Sequence, residues 1–359
     1  MPCAARYSRA GRDSSNSTAV ACSLLADNGA AVLFGAVIPQ AATAMVDPQV
    51  KAYLELLASV GAPPLHVLPA PQARIAYKKA RAFAQPEPPP VASTVALTAD
   101  GPAGKVPLRY YRPFGSAASA VLPVLVFMHG GGWTIGDLDT HDVVCRELCN
   151  RARCAVISVD YRLSPEHRFP AAVDDTLAAV RWIHANASAL AIDPHRIAVG
   201  GDSAGGNLSA VAALVLRDAG GPKLALQLLI YPATDFRCNT RSHAENGSGY
   251  LLTREAIDYF TGSYLNGPHE VSDWRASPAL AASFQHLPPA FILTAGYDPL
   301  RDEGAQYAEL LRGAGVPVEY VNFEAQIHGF VTMSKVVDAA VVAFDRCAGA
   351  LTRAFANGA

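Results

Sequence analysis

Three groups of residues in this chain have the types and spacing for nucleophilic chemistry. The first is Gly201-Asp202-Ser203-Ala204-Gly205, a G-x-S-x-G pentapeptide. An apolar run at 195–199 leads into it and an Ala/Leu/Val run at 208–216 follows. The pattern reads as strand, sharp turn, helix. A serine at the apex of so tight a turn has a strained backbone, and its flanking glycines approach too closely to carry side chains. Such a turn lifts the Ser203 hydroxyl clear of the sheet. It also sets the Ala204 N–H at a helix mouth, where free donors and the helix dipole favour a developing anion.

The second group is His129-Gly130-Gly131-Gly132-Trp133, directly after the apolar run 122–128. Three successive glycines cost chain entropy on folding, so they must permit something. Bare backbone lets N–H groups approach a ligand oxygen. Two such groups from this run, with the N–H of Ala204, would form an oxyanion hole for a tetrahedral acyl intermediate. A phosphate loop does not fit, because no Lys-Ser/Thr follows and the G-x-G-x-x-G spacing is absent. His129 reads as a brace for this loop. Trp133 reads as a wall of the substrate pocket, to which Asp202, Tyr250, Leu251 and Leu252 are the other candidate contributors.

A serine nucleophile needs a base and an acid to orient it. His328, in Gln326-Ile327-His328-Gly329-Phe330, follows the last strand-like run, 318–323. Asp298 is the first acid after the preceding run, 290–295. The order Ser, acid, His is the one expected of a G-x-S-x-G turn. Asp302 is the alternative acid, and an N-cap before Pro299 is the bland alternative for Asp298. Asp202 is read as a structural neighbour, because a side chain beside the serine points away from the apex.

These groups need a scaffold. Residues 122–128, 155–160, 196–201, 224–231, 290–295 and 318–323 read as strands. Helical stretches at 140–152, 171–186, 304–313 and 336–355 lie between or after them, a βαβ pattern. Residues 92–99 and 106–112 form an earlier hairpin around Asp100-Gly101, which makes eight strands, the early pair antiparallel and the rest parallel. Upstream, Asp47-Pro48 starts a helix. Its apolar face is Val50, Tyr53, Leu54, Leu57 and Val60. A second helical stretch covers 70–84, and Gln85-Pro-Glu-Pro-Pro-Pro90 is a stiff linker. A break in alternation between 238 and 286, with a helix at 254–264, reads as an insertion over the strand ends. With residues 45–90 it would form a helical cap on a catalytic domain at 91–359.

A formal net charge of −2 over 359 residues shows no electrostatic footprint for nucleic acid. Seven cysteines without a C-x-x-C pair suggest neither a disulfide framework nor a zinc site. Cys145 and Cys149 share a helix but have no nearby partners to complete a ligand set. Residues 1–44 differ from the rest: three arginines, a polar patch, then an apolar run of about ten residues, too short to span a bilayer. Three readings stand. The segment is a secretory leader ending at Ala42-Thr43-Ala44, an extension, or untranslated sequence before a start at Met45. The expected location is the cytoplasm, with periplasm or export as the alternative if 1–44 is a leader.

With these residues together, the chain resembles the bacterial hormone-sensitive-lipase-like esterases of the α/β-hydrolase superfamily. The matching pieces are His129–Trp133, Asp160-Tyr-Arg-Leu-Ser-Pro-Glu166, Gly201–Gly205, Asp298-Pro-Leu-Arg-Asp-Glu303 and His328-Gly329-Phe330. Asp202 places it with relatives that carry Asp before the serine. Ser164 stands where relatives more often have Ala. The resemblance implies an α/β-hydrolase fold with a helical cap and catalytic Ser203, Asp298 and His328. It also implies oxyanion donors Gly130, Gly131 and Ala204. The expected activity is hydrolysis of small short- to medium-chain carboxylic esters, with no metal or organic cofactor. Amide, lactone or carbamate hydrolysis would use the same groups. A homodimer is a further expectation, since relatives often dimerise. The same fold also serves ligand-binding proteins that have lost catalysis, such as plant gibberellin receptors; a histidine at 328 argues against that reading.

Overall fold

The computed structural model describes residues 45–61 and 63–357. The readings for residues 1–44 lie outside the described residues. In chain order the elements are α1 (Pro48–Ser59), α2 (Ala70–Ala84), β1 (Ser93–Gly101), β2 (Gly104–Arg112), β3 (Leu122–Met128), α3 (Asp142–Ala152), β4 (Ala155–Val159), α4 (Ala171–Ala185), β5 (Ile192–Asp202), α5 (Ala204–Asp218), β6 (Leu226–Ile230), α6 (Arg241–Glu245), α7 (Arg254–Tyr264), β7 (Ala290–Tyr297), α8 (Arg301–Gly313), β8 (Val318–Ile327) and α9 (Ala339–Asn357).

The strands form one sheet of order β1-β2-β4-β3-β5-β6-β7-β8. β2 runs antiparallel to both of its neighbours, and every other pair is parallel. The hairpin turn falls two residues later than Asp100-Gly101: Gly101 pairs with Gly104, leaving Pro102-Ala103 as the loop. Gly104 takes φ +123°, a conformation that permits this tighter reversal.

The central strands are buried on both faces, as continuous apolar runs in a parallel sheet must be. Alternation divides β3 between two cores. Leu125 and Phe127 pack with α3 and α9 residues such as Leu148 and Phe344. Val124 and Val126 pack with α4 and α5 residues such as Val180 and Leu208. α8 closes the far end over Leu229 and Ile292 through Tyr307 and Leu311. Helices α5 and α8 begin earlier than their apolar periodicity suggests, because their first turns are the loops that leave β5 and β7.

The N-terminal helices are tied to the loops that follow β3 and β4. Asp47 caps α1, accepting from Gln49 N at 2.8 Å. Val50 and Tyr53 are buried, but the helix ends at Ser59 and Val60 is 63% exposed, so Val60 leaves the expected apolar face. On α2, Arg74 donates to Thr134 O at 2.8 Å, Ser164 O at 2.8 Å and both oxygens of Glu166. The 85–90 segment has no regular structure, and Gln85 donates to Thr140 O at 2.8 Å.

Leu228 is fully buried in the middle of β6, between Gly200 of β5 and Phe291 of β7. Leu228→Ala should cost about 2–5 kcal/mol of unfolding free energy, measured as a lowered denaturant midpoint.

Candidate active site

β5 delivers Ser203 to the turn into α5. Its backbone sits at φ +54°, ψ −116°, a strained conformation for a non-glycine residue. The flanking glycines have a common steric cause. A Cβ on Gly201 would collide with Met128 O and lie 2.6 Å from Gly205 C. A Cβ on Gly205 would collide with the same carbonyl and lie 2.9 Å from His129 O. The end of β3 thus lies against the elbow, and only bare backbone fits beneath it.

His328 follows β8, with Gly329 at φ +83° turning the chain. Its Nε2 lies 2.9 Å from Ser203 Oγ and its Nδ1 lies 2.7 Å from Asp298 Oδ2. Asp298 is fully buried at the end of β7, and its Oδ1 accepts from Leu300 N at 2.8 Å. Asp302 faces elsewhere: it accepts from Ser242 N at 2.8 Å and pairs with Arg301 at 2.7 Å. The three side chains form a continuous hydrogen-bonded relay that can draw a proton from the serine.

The glycine loop departs from the sequence expectation by one residue. Gly130 N donates to Asp202 Oδ1 at 2.8 Å, so this N–H is occupied and is not available to an oxyanion. The N–H groups of Gly131, Gly132 and Ala204 have no hydrogen-bond partner among the described residues. Gly131 and Gly132 line the cavity in front of Ser203, whereas Gly130 does not. Gly132 was not singled out from sequence, although it carries the same signal as its neighbours.

Asp202 is a brace for this loop. Besides Gly130 it pairs with His141 Nε2 at 3.2 Å. Burial alone would raise its pKa, but His141 and the Gly130 N–H outweigh that and hold the carboxyl below the usual range. His129 lies behind the loop: its Nδ1 is 2.8 Å from Gly130 O, and its carbonyl accepts from Tyr161 Oη at 2.6 Å. Burial, reinforced by the nearby His141, pushes the His129 pKa down to about 4. Ser164 is fully buried, with its hydroxyl 2.8 Å from Thr134 Oγ1 and donating to Trp133 O at 3.1 Å. The sequence showed no role for that serine; in the structure it holds the loop that follows Gly132.

The cavity has a volume of about 130 Å³. Of the residues expected in a pocket, Trp133, Asp202, Leu251 and Leu252 line this cavity. Tyr250 does not; it packs on Tyr297, with ring centroids 5.2 Å apart. Trp133 is fixed by stacking on Tyr264 at 4.5 Å. Residues that the sequence did not single out also line it: Leu65, Tyr77 and Arg81 from the N-terminal segment, and Ile257 and Phe260 from α7. Glu303 also lines the cavity, buried against His243 at 2.7 Å, and burial raises its carboxyl pKa. Cys145 and Cys149 are packed in the hydrophobic core on α3.

Known proteins share the fold and much of the sequence. The family described as alpha/beta hydrolase fold matches residues 125–332. The carboxylic ester hydrolase LipN of Mycobacterium tuberculosis is 49% identical over 264 residues, covering 72% of this chain and 69% of that protein. The carboxylesterase NlhH of the same species is 49% identical over 253 residues, 69% of this chain and 78% of that protein. Among solved structures, an ester hydrolase from the metagenome of Lake Arreo superposes with a TM-score of 0.84 at 44% identity, covering 87% of this chain and all of that one.

The buried His129 predicts a pH dependence of stability. Its pKa falls from 6.5 to about 4 on folding. Between those values the unfolded chain binds more protons, so stability falls as pH drops through this window and is fully retained above it. The contribution is on the order of 3 kcal/mol. Denaturant midpoints measured from pH 7 to pH 4 should therefore fall less steeply in His129→Gln than in the wild type.

Proposed function

The chain belongs to the alpha/beta hydrolase fold family, among the hormone-sensitive-lipase-like esterases, and from that premise we propose a serine carboxylesterase using Ser203, His328 and Asp298. The observation that carries the reading is the relay from Asp298 through His328 to Ser203, 2.7 Å and 2.9 Å, opening beside three unpartnered N–H groups. Ser203 Oγ attacks the ester carbonyl while His328 Nε2 takes its proton. The carbonyl oxygen becomes an oxyanion held by Gly131, Gly132 and Ala204, the last at the mouth of α5. His328 then protonates the departing alcohol. It next activates a water that releases the acid from the acyl-enzyme. Asp298 holds the imidazole with Nε2 facing the serine and stabilises the imidazolium.

Short- to medium-chain esters fit this cavity. Trp133, Phe236 and Phe260 line it, together with Leu65 and residues of α2 and α7. Hydrolysis of p-nitrophenyl esters from acetate to palmitate should peak at the short end and fall steeply beyond about ten acyl carbons, whereas a long open groove would accept the longer chains. A flat profile out to palmitate would contradict this chain-length reading.

A fluorophosphonate should label Ser203, as read by peptide mass spectrometry, and abolish hydrolysis in proportion. Ser203→Ala should remove both labelling and activity; retained activity would overturn the mechanism. Asp298→Asn should lower kcat by about 10⁴-fold, because the wrong imidazole tautomer is then favoured. A mild effect there beside a severe one at Asp302 would reassign the acid.

A further inference from the structure

The esterase mechanism leaves one buried charge of the cavity without a task. Arg81, on α2, lines the same cavity as Ser203 and His328 and is only 4% exposed. Its guanidinium makes one hydrogen bond, from Nη1 to Thr332 Oγ1. Its Nε is buried with no partner, and no carboxylate pairs with it among the described residues. Tyr77, one turn earlier, lines the cavity beside it, with the guanidinium carbon 5.1 Å from the ring centre. The Tyr77 hydroxyl also has no hydrogen-bond partner among the described residues.

The acids around this cavity are all engaged. Asp202 is bound to His141 and Gly130, Asp235 to Arg237 and Glu303 to His243. Arg81 also borders an outer cleft, where Lys78 is paired with Asp137 and Asp139, and Arg109 with Asp139 and Asp142. None of these acids is left over for Arg81. A guanidinium keeps its charge at any working pH and presents five donors in a planar fork. Burying one without an anion is costly unless a partner arrives in the functional state.

We propose that this anion is supplied by the substrate: the cavity takes esters that carry a carboxylate, which Arg81 binds through its free N–H groups while the ester carbonyl lies at Ser203. The Tyr77 hydroxyl donates a further hydrogen bond to the same carboxylate. The carboxylate enters and leaves unchanged, and the reaction remains ester hydrolysis. The proposal rests on the esterase reading and adds the substrate class to it.

The test compares matched pairs of esters by pH-stat titration. Monoethyl adipate against ethyl hexanoate places the charge on the acyl half; 4-acetoxybutanoate against butyl acetate places it on the alcohol half. In the wild type at least one charged ester should exceed its neutral partner about tenfold in kcat/KM. The charged-to-neutral ratio should collapse by about tenfold in Arg81→Gln and recover in part in Arg81→Lys. Because the ratio is taken within one enzyme, any loss common to both esters cancels. If Arg81→Gln does not fold, wild-type inhibition decides: butyrate should compete about tenfold more tightly than butyramide. Neutral esters preferred in both pairs, a ratio unchanged in Arg81→Gln, or equal inhibition by butyrate and butyramide would overturn the proposal. No hydrolysis of any of the four esters would instead count against the esterase reading.

Discussion

The end of β3 presses against the turn that carries Ser203, and the rest of the site depends on that contact. Met128 O sits where a Cβ of Gly201 or of Gly205 would have to be. Met128 is also the β-sheet partner of Gly201. Sheet register, elbow and glycine loop therefore share one backbone crossing. Strain at Ser203 persists because β5 on one side and α5 on the other over-determine it. In return, the residues that immediately follow Met128 are delivered to the front of the serine without a long connection.

Asp202 converts that crossing into a set of directed hydrogen bonds. The elbow turns Ser203 forward and leaves its neighbour facing the glycine loop. There a buried carboxylate fixes Gly130 N and is itself secured by His141. Fixing the first N–H of the loop leaves the next two without a partner among the described residues, and those two are the donors proposed for the oxyanion. His129, Tyr161 and Ser164 brace the loop from behind through buried hydrogen bonds. These bonds are strong in a low-dielectric interior and costly to break one at a time, so the loop is held before any substrate arrives.

The N-terminal helices join this arrangement through Arg74. Arg74 on α2 reaches Thr134, Ser164 and Glu166 at once, so the N-terminal helices are fastened to the loop that walls the cavity. The same helix carries Tyr77 and Arg81 inward. One element thereby supplies both the tie to this loop and two polar lining residues, while α7 adds Ile257, Phe260 and Thr261.

The local pattern of the chain determined more than the strands. Continuous apolar runs such as 122–128 can only be buried between two helical layers, and α7 and β3 have the bounds that their composition implies. Glycines around a serine, and an acid and a histidine after the last two strands, are one-dimensional signals because each role sits at a strand end. The tertiary structure decided what depends on side-chain reach across distant segments. Gly130 is spent rather than free because Asp202, 72 residues later, takes its N–H. Tyr250 turns to Tyr297 while Leu251 and Leu252 face the cavity, a choice made by packing rather than by propensity. Arg81 reads as an ordinary charged helix position until the fold buries it beside Thr332, 251 residues away, with no anion at hand. Local backbone preference is encoded by neighbours along the chain. Which donor stays unpaired is set by the groups that the fold brings to it.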